Sequence, residues 1–242
     1  MAENEIIKHS RKAYEIIKSS GKNIKHKLYE IFIEILIIVI AVSISIWFHN
    51  WNERRHDKQE EKEFFTGLEK DLQSDVENMT NSQKLYEYTL RGISYFLRSQ
   101  HDSKLNQDSV IKYSDCFFSS TDLDPHIGRY EGLKSSGRFS IIENKELLND
   151  IIELHESIIQ RIQDLNSKYY QHNQKIASLI SQNAELAQNG MVINAASVAS
   201  RSDFKILIGT SAGLIVNNII PIHITGIKKC NEIIAQIDKE LK

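Results

Sequence analysis

The stretch YEIFIEILIIVIAVSISIWFHNWN, Tyr29 to Asn52, decides how the chain is read. Within it, Ile31 to Phe48 holds thirteen Ile, Leu, Val and Phe residues against one ionisable side chain, Glu34, and two hydroxyls, Ser43 and Ser45. At roughly −0.3 to −0.6 kcal/mol per apolar residue, insertion into a bilayer outweighs a single acid costing at most about 3.5 kcal/mol at midplane. The run is long enough to cross the hydrocarbon core as a helix, so the lipid bilayer is the first partner implied. Trp47 and Trp51 mark its far interface, with Asn52, Glu53 and Arg55 just beyond. The run exceeds a signal-peptide core and no Ala-x-Ala site follows it, so a retained anchor is expected.

Glu34 admits two explanations. It is a partner contact, ion path or shared carboxyl at a helix interface, or it is a side chain snorkelling to the near headgroups.

Working outward, Arg11, Lys12, Lys18, Lys22, Lys25 and Lys27 precede the apolar run, while only Arg54, Arg55, Lys58 and Lys62 follow it closely. That bias puts the N-terminus in the cytoplasm. The expected organisation is a cytoplasmic basic tail over 1–28, a transmembrane anchor over 29–52 and an extracytoplasmic helical domain over 53–242. Ile6 to Ser20 is weakly amphipathic and basic, suited to anionic headgroups or to solvent.

Lys+Arg 30 against Asp+Glu 32 leaves a net charge of −2, which gives no reason to expect nucleic acid as a partner. Two prolines and ten glycines in 242 residues favour helices over a turn-rich β fold. The fold class expected is all-α, with an N-terminal transmembrane helix running into an elongated antiparallel helical bundle of long amphipathic helices. Phe65, Leu68, Leu72, Val76, Met79, Gln83, Tyr86, Leu90, Ile93 and Leu97 recur three and four apart, a seam suited to other long helices from this chain or a second copy. Gly67 and Gly92 are points where that helix could bend. Ser99 to Asp108 reads as a connection, Val110 to Phe118 as a short helix, and Asp124 before Pro125 as a helix start. Gly137 reads as a helix stop and Asn144 as the cap of a helix whose stripe runs from Leu148 to Leu186. Gln188 to Ser202 reads as a loop, and Asp203 opens the last helix.

That last helix carries no Lys, Arg, Asp or Glu between Lys205 and Lys228, which raises a second span over Ile206 to Ile227. Asn217, Asn218, Pro221 and His223 argue against it. A helical stripe from Ile208 to Leu241 also continues into charged sequence, so a core helix kinked near Pro221 is expected.

Candidate chemistry is sparse. Asp122, Asp124 and His126 alternate but lack the glycine and terminal glutamate of a calcium loop. His155 and His172 stand about 25 Å apart on one helix, too far to share a metal. Cys116 and Cys230 form no C-x-x-C pair; they read as two buried thiols or, in an oxidising compartment, a bridge. No G-x-S-x-G, H-E-x-x-H or Walker-type loop occurs, so neither an enzyme nor a cofactor or metal site is expected.

Glu34, His49 to Arg55 (HNWNERR) and the following Leu68, Asp71 and Leu72 resemble a bacterial family of small membrane-anchored proteins of unknown function, whose apolar span ends in Asn-x-Trp-Asn-Glu-x-Arg. Tyr130, Leu133, Ser135 to Gly137, Ile142, Asn144 and Leu147 are similar to that family's middle motif. The chain departs from it at Ile33 and Ala41, positions of glycine in the family, which weighs against close glycine-mediated helix contact. The resemblance implies the architecture above, in a bacterial inner membrane with the C-terminal domain expected to be periplasmic, and no known activity, substrate or cofactor. The expected function is therefore that of a non-enzymatic single-pass membrane scaffold, sensor or accessory subunit, acting on a second copy or another membrane protein. The alternative is an oligomeric effector or channel-like subunit built around Glu34.

Overall fold

The computed structural model describes residues 24–98, 105–117, 124–188 and 192–242, with residues 7, 11, 14, 15 and 18 of the tail. The chain is all-α, and it divides into two compact units, Met1–Glu61 and Lys62–Lys242. Helix α1 has the bounds Ile24–Arg98.

In the first unit the apolar run of α1 is almost wholly exposed. Phe32, Ile35, Leu36, Val39, Ile40, Ile44, Ile46 and Phe48 all face outward, and Glu34 is the buried exception at 4% exposure. Of the amphipathic basic tail, only Ile7 and Tyr14 among its apolar residues are described; both are helical and exposed. Arg11, Glu15 and Lys18 are likewise helical and exposed, and the other residues of that segment lie outside the described residues.

The second unit is built on seven-residue spacing. Phe65, Leu72, Met79, Tyr86 and Ile93 are buried on α1, as the sequence pattern predicts. The companion series differs: Leu68, Asp75, Ser82, Thr89 and Phe96 are buried, while Val76, Gln83, Leu90 and Leu97 lie at the half-buried edge. Hydrophobicity alone selects the more apolar series. The fold buries the other, and for Asp75 a distant segment supplies the compensating hydrogen bonds, from the backbone and ring of His126. Helix α1 continues unbroken through Gly67 and Gly92. A side chain at Gly67 would occupy the space of the Arg129 guanidinium, and one at Gly92 would meet Cys116 Sγ at 2.7 Å.

After α1, Asn106 caps α2 (Gln107–Ser114) by accepting from the backbone of Asp108 and Ser109, and a single 3-10 turn, Asp115–Phe117, follows. The short helix therefore starts earlier than its apolar residues suggest, because the cap sets its beginning. Helix α3 (Gly128–Ser135) also departs from expectation. Its N-cap is Ile127 rather than Asp124, which stays exposed while Pro125 is buried. Gly137 ends α3 as predicted, at φ +68, with Arg138 N–H reaching the Leu133 carbonyl. Asn144 caps α4 (Lys145–Glu153) as predicted, accepting from Glu146 and Leu147.

A π-turn, Leu154–Ile159, joins α4 to α5 (Gln160–Asn183), and a second, Ile215–Ile219, joins α7 (Ser202–Leu214) to α8 (Ile220–Glu240). Each inserts a residue and resets the stripe. In the second case the buried positions Phe204, Ile208, Ser211, Ile215, Ile219, His223, Gly226, Cys230, Ile233 and Ile237 show three successive steps of four across the wide turn. Pro221 follows directly. It has no N–H to give, and its ring crowds the carbonyl four residues back, so a π-turn stands just before the position where a kink is expected. This stripe is core, and the opposite face leaves Ile206, Val216 and Ile224 exposed.

The turn before α7 also corrects the sequence pattern. Helix α5 stops at Asn183, so Leu186 is exposed and bridges to Val192, and residues read as loop contain α6 (Ala195–Ser200). The three long helices of this unit pack along their length. Met79 lies level with Ile158, Ile162 and Gly226, and Tyr86 with Asn166 and Tyr169. Phe96, further along α1, meets Phe204 at the start of α7.

Candidate functional site

Two groups of residues merit attention, one in each unit. In the first, helical spacing stacks Trp47 on Trp51, one turn apart, with ring centroids 6.5 Å apart and planes at 9°. The Arg55 guanidinium sits 5.1 Å over the Trp51 ring, a further turn on. Phe48 meets both tryptophans edge-on. Glu53 pairs instead with His49 at 3.5 Å, and Asn52 is exposed. The structure thus brings Trp47, Trp51 and Arg55 onto one ribbon of α1, places Glu53 beside His49, and leaves Glu34 more than three turns away in a polar contact of its own. Ser45 is turned inward on the backbone, donating to the Ala41 carbonyl at 2.9 Å.

The second group is a ladder of buried polar side chains that the apolar pattern does not reveal. Asp75, its side chain 2% exposed, accepts from the backbone N–H of His126 and lies 2.7 Å from His126 Nδ1. That carboxylate holds the His126 pKa above its ordinary value. Next, His155 stacks on Tyr130 with centroids 4.3 Å apart, and its Nδ1 contacts the Ile151 carbonyl at 2.9 Å. Tyr130 Oη and Lys134 Nζ both reach Glu156, at 2.7 and 2.5 Å. Burial raises the Tyr130 pKa, reinforced by Glu156, and lowers that of His155.

Further along, His223 packs edge-on against Tyr86, whose hydroxyl donates to Asn166 Oδ1 at 3.0 Å. Burial lowers the His223 pKa, so the ring stays neutral near neutrality. This layer stands where two apolar clusters meet, one centred on Leu68, Leu147 and Ile233, the other on Phe96, Tyr169 and Phe204. Lys229, its side chain 18% exposed, ties α8 to α4 through Asp150 at 3.1 Å and Glu153 at 2.8 Å.

The ladder positions helices. Cys116 and Cys230 are free and fully buried, in different clusters, with burial pushing each thiol up to about 12. Among the described residues no group of three His, Cys, Asp or Glu is placed to hold a metal. Asp124 is exposed, His126 is engaged by Asp75, and Asp122 lies outside the described residues. His172 Nε2 donates to the Leu207 carbonyl at 2.8 Å, apart from His155. Asp75, Ser82 and Thr89 recur every seven residues, and that spacing is the signal by which the ladder could have been found.

These features define an all-α protein whose α1 and α7–α8 are long and apolar enough to cross a membrane by length and composition. Residues 34–215 match DUF6090, a family of unknown function, and the chain belongs to that family. No curated protein and no solved structure matches it.

Proposed function

We propose that this is a non-enzymatic, single-pass inner-membrane protein whose helical domain lies on the periplasmic side and acts by contact, as a scaffold, sensor or accessory subunit. The observation that carries the reading is the exposed apolar run of α1 from Leu28 to Phe48, which water solvates poorly and a bilayer accommodates. The stacked tryptophans and Arg55 suit the headgroup region that ends such a run. Core burial of the α7–α8 stripe supports one span rather than two. The surplus of lysine and arginine before the run supports a cytoplasmic N-terminus.

The seam of α1 is filled by the chain's own helices, so a homo-oligomer or a second membrane protein uses other surfaces. The uncharged exposed face of α7–α8 with Ile206, Val216 and Ile224 is one such surface. Burial of Glu34 within its own chain supports a local structural contact over a channel-like subunit with this acid in a shared polar path. A topology reporter fused after Leu241 is expected to read periplasmic, and a cytoplasmic signal overturns the placement. Cross-linking in membranes is expected to capture a partner, and a chain recovered only as monomer counts against action by contact. Glu34→Gln is expected to leave ion flux unchanged; altered conductance instead supports the channel-like reading.

A further inference from the structure

A cavity of about 360 Å³, open to solvent on one side where Ser181 and Leu186 are exposed, lies in the second unit near the end of α5. Its floor is an aromatic cluster, Phe96, Phe117 and Phe204, with centroid separations of 5.2 to 6.2 Å. Ala184, Ala195 and Ala199 line it together with aliphatic side chains such as Ile180 and Val198. The space is open because the alanine side chains are short. Among the described residues that line it none is charged, and the two hydroxyls there are turned to backbone: Ser114 donates to the Ile111 carbonyl and Ser181 to that of Ala177.

This combination limits what can enter. An ion or strongly polar molecule leaves water and finds no partner, at a cost the walls do not return. Water itself gains little, since it needs two to four polar partners to be held. The volume is more than twice the roughly 150 Å³ of an apolar cavity that stays dry and binds benzene, and at roughly 30 Å³ per water-sized group it takes about a dozen heavy atoms. A hydrocarbon chain segment or a small ring system fills a space of this size.

We infer that the cavity between Phe96, Phe117 and Phe204 and the alanines of α5 and α6 binds the hydrocarbon part of a neutral apolar small molecule. This goes beyond action by contact and does not depend on the orientation of the chain in a membrane. Ligand in the cavity touches α5, α6 and the start of α7 together, so occupancy ties these elements to one another.

The test uses the full chain in lipid nanodiscs and a photoreactive medium-chain fatty alcohol carrying a diazirine. On illumination, peptide mapping is expected to find adducts at residues lining the cavity, displaced by excess unlabelled alcohol. In Ala195→Phe and Ala199→Phe, side chains that fill the space, adducts there fall about tenfold while labelling of Ile31 to Phe48 is unchanged. Helix content by circular dichroism verifies the fold of each variant. If both variants unfold, displacement in the unmodified chain decides. Adducts absent from the cavity, adducts not displaced by unlabelled alcohol, or equal adducts in folded filled variants overturn the inference. Cross-links from the cavity to a second chain in place of the probe also overturn it.

Discussion

At the scale of single residues, the histidines divide by what surrounds them. The Asp75 carboxylate raises the His126 pKa, so this pair contributes fully below the ordinary value near 6.5 and its contribution is lost as pH rises through the raised folded value. The His126 ring is half-exposed, which keeps the effect modest. His155 and His223 behave oppositely. Burial lowers both, so their contribution is present above about 6.5 and lost as pH falls through the lowered values. His126→Ala is therefore expected to lower Tm more at about pH 5.5 than at about pH 8.5, and His223→Leu to make the acid-side loss of Tm shallower, both read from thermal melts across pH. The thiols give a second check at this scale. With Cys116 and Cys230 at 0% exposure, a chromogenic disulfide reagent is expected to react with neither in the folded chain and with both after denaturation. Rapid reaction of either thiol in the native state contradicts their place in the core.

At the scale of elements, caps and close approaches set what the apolar stripes leave open. Asn144 starts α4 with two backbone hydrogen bonds and also donates to Glu240 at 2.7 Å. Asn144→Ala is expected to cost about 1 kcal/mol in denaturant unfolding. Gly226 sits where three helices meet: a Cβ there would lie 2.8 Å from Met79 Sδ and 3.2 Å from Ile162 Cδ1. Gly226→Val is expected to destabilise by about 1–3 kcal/mol, since the core must shift to admit it. Gly137 and Asn144 were legible in sequence because their roles depend on local backbone geometry. Gly67, Gly92 and Gly226 were not, because nothing local tells a bend from a site where Arg129, Cys116 or Met79 must approach.

At the scale of the whole molecule, both apolar clusters draw only on residues from Phe64 onward. A fragment of residues 62–242 is therefore expected to fold without the membrane-length run, giving a helical spectrum and one cooperative thermal transition. A non-cooperative melt shows instead that the first unit is needed for folding. Such a fragment is also a vehicle for separating what the helical domain does from what the anchor does.

The chain by itself determined the all-α class, the long α1, the apolar run after Tyr29 and the main stripe residues of each long helix. These follow from hydropathy and periodicity, which act within a few turns. Tertiary structure alone decided that Asp75, Ser82 and Thr89 go inside in place of Val76, Gln83 and Leu90. It also decided that two π-turns realign the stripes, and that alanines and phenylalanines line one cavity. A polar side chain is buried when a distant segment brings it a partner, and a cavity persists when distant side chains stop short of each other. Neither condition is written in the spacing of neighbours along the chain.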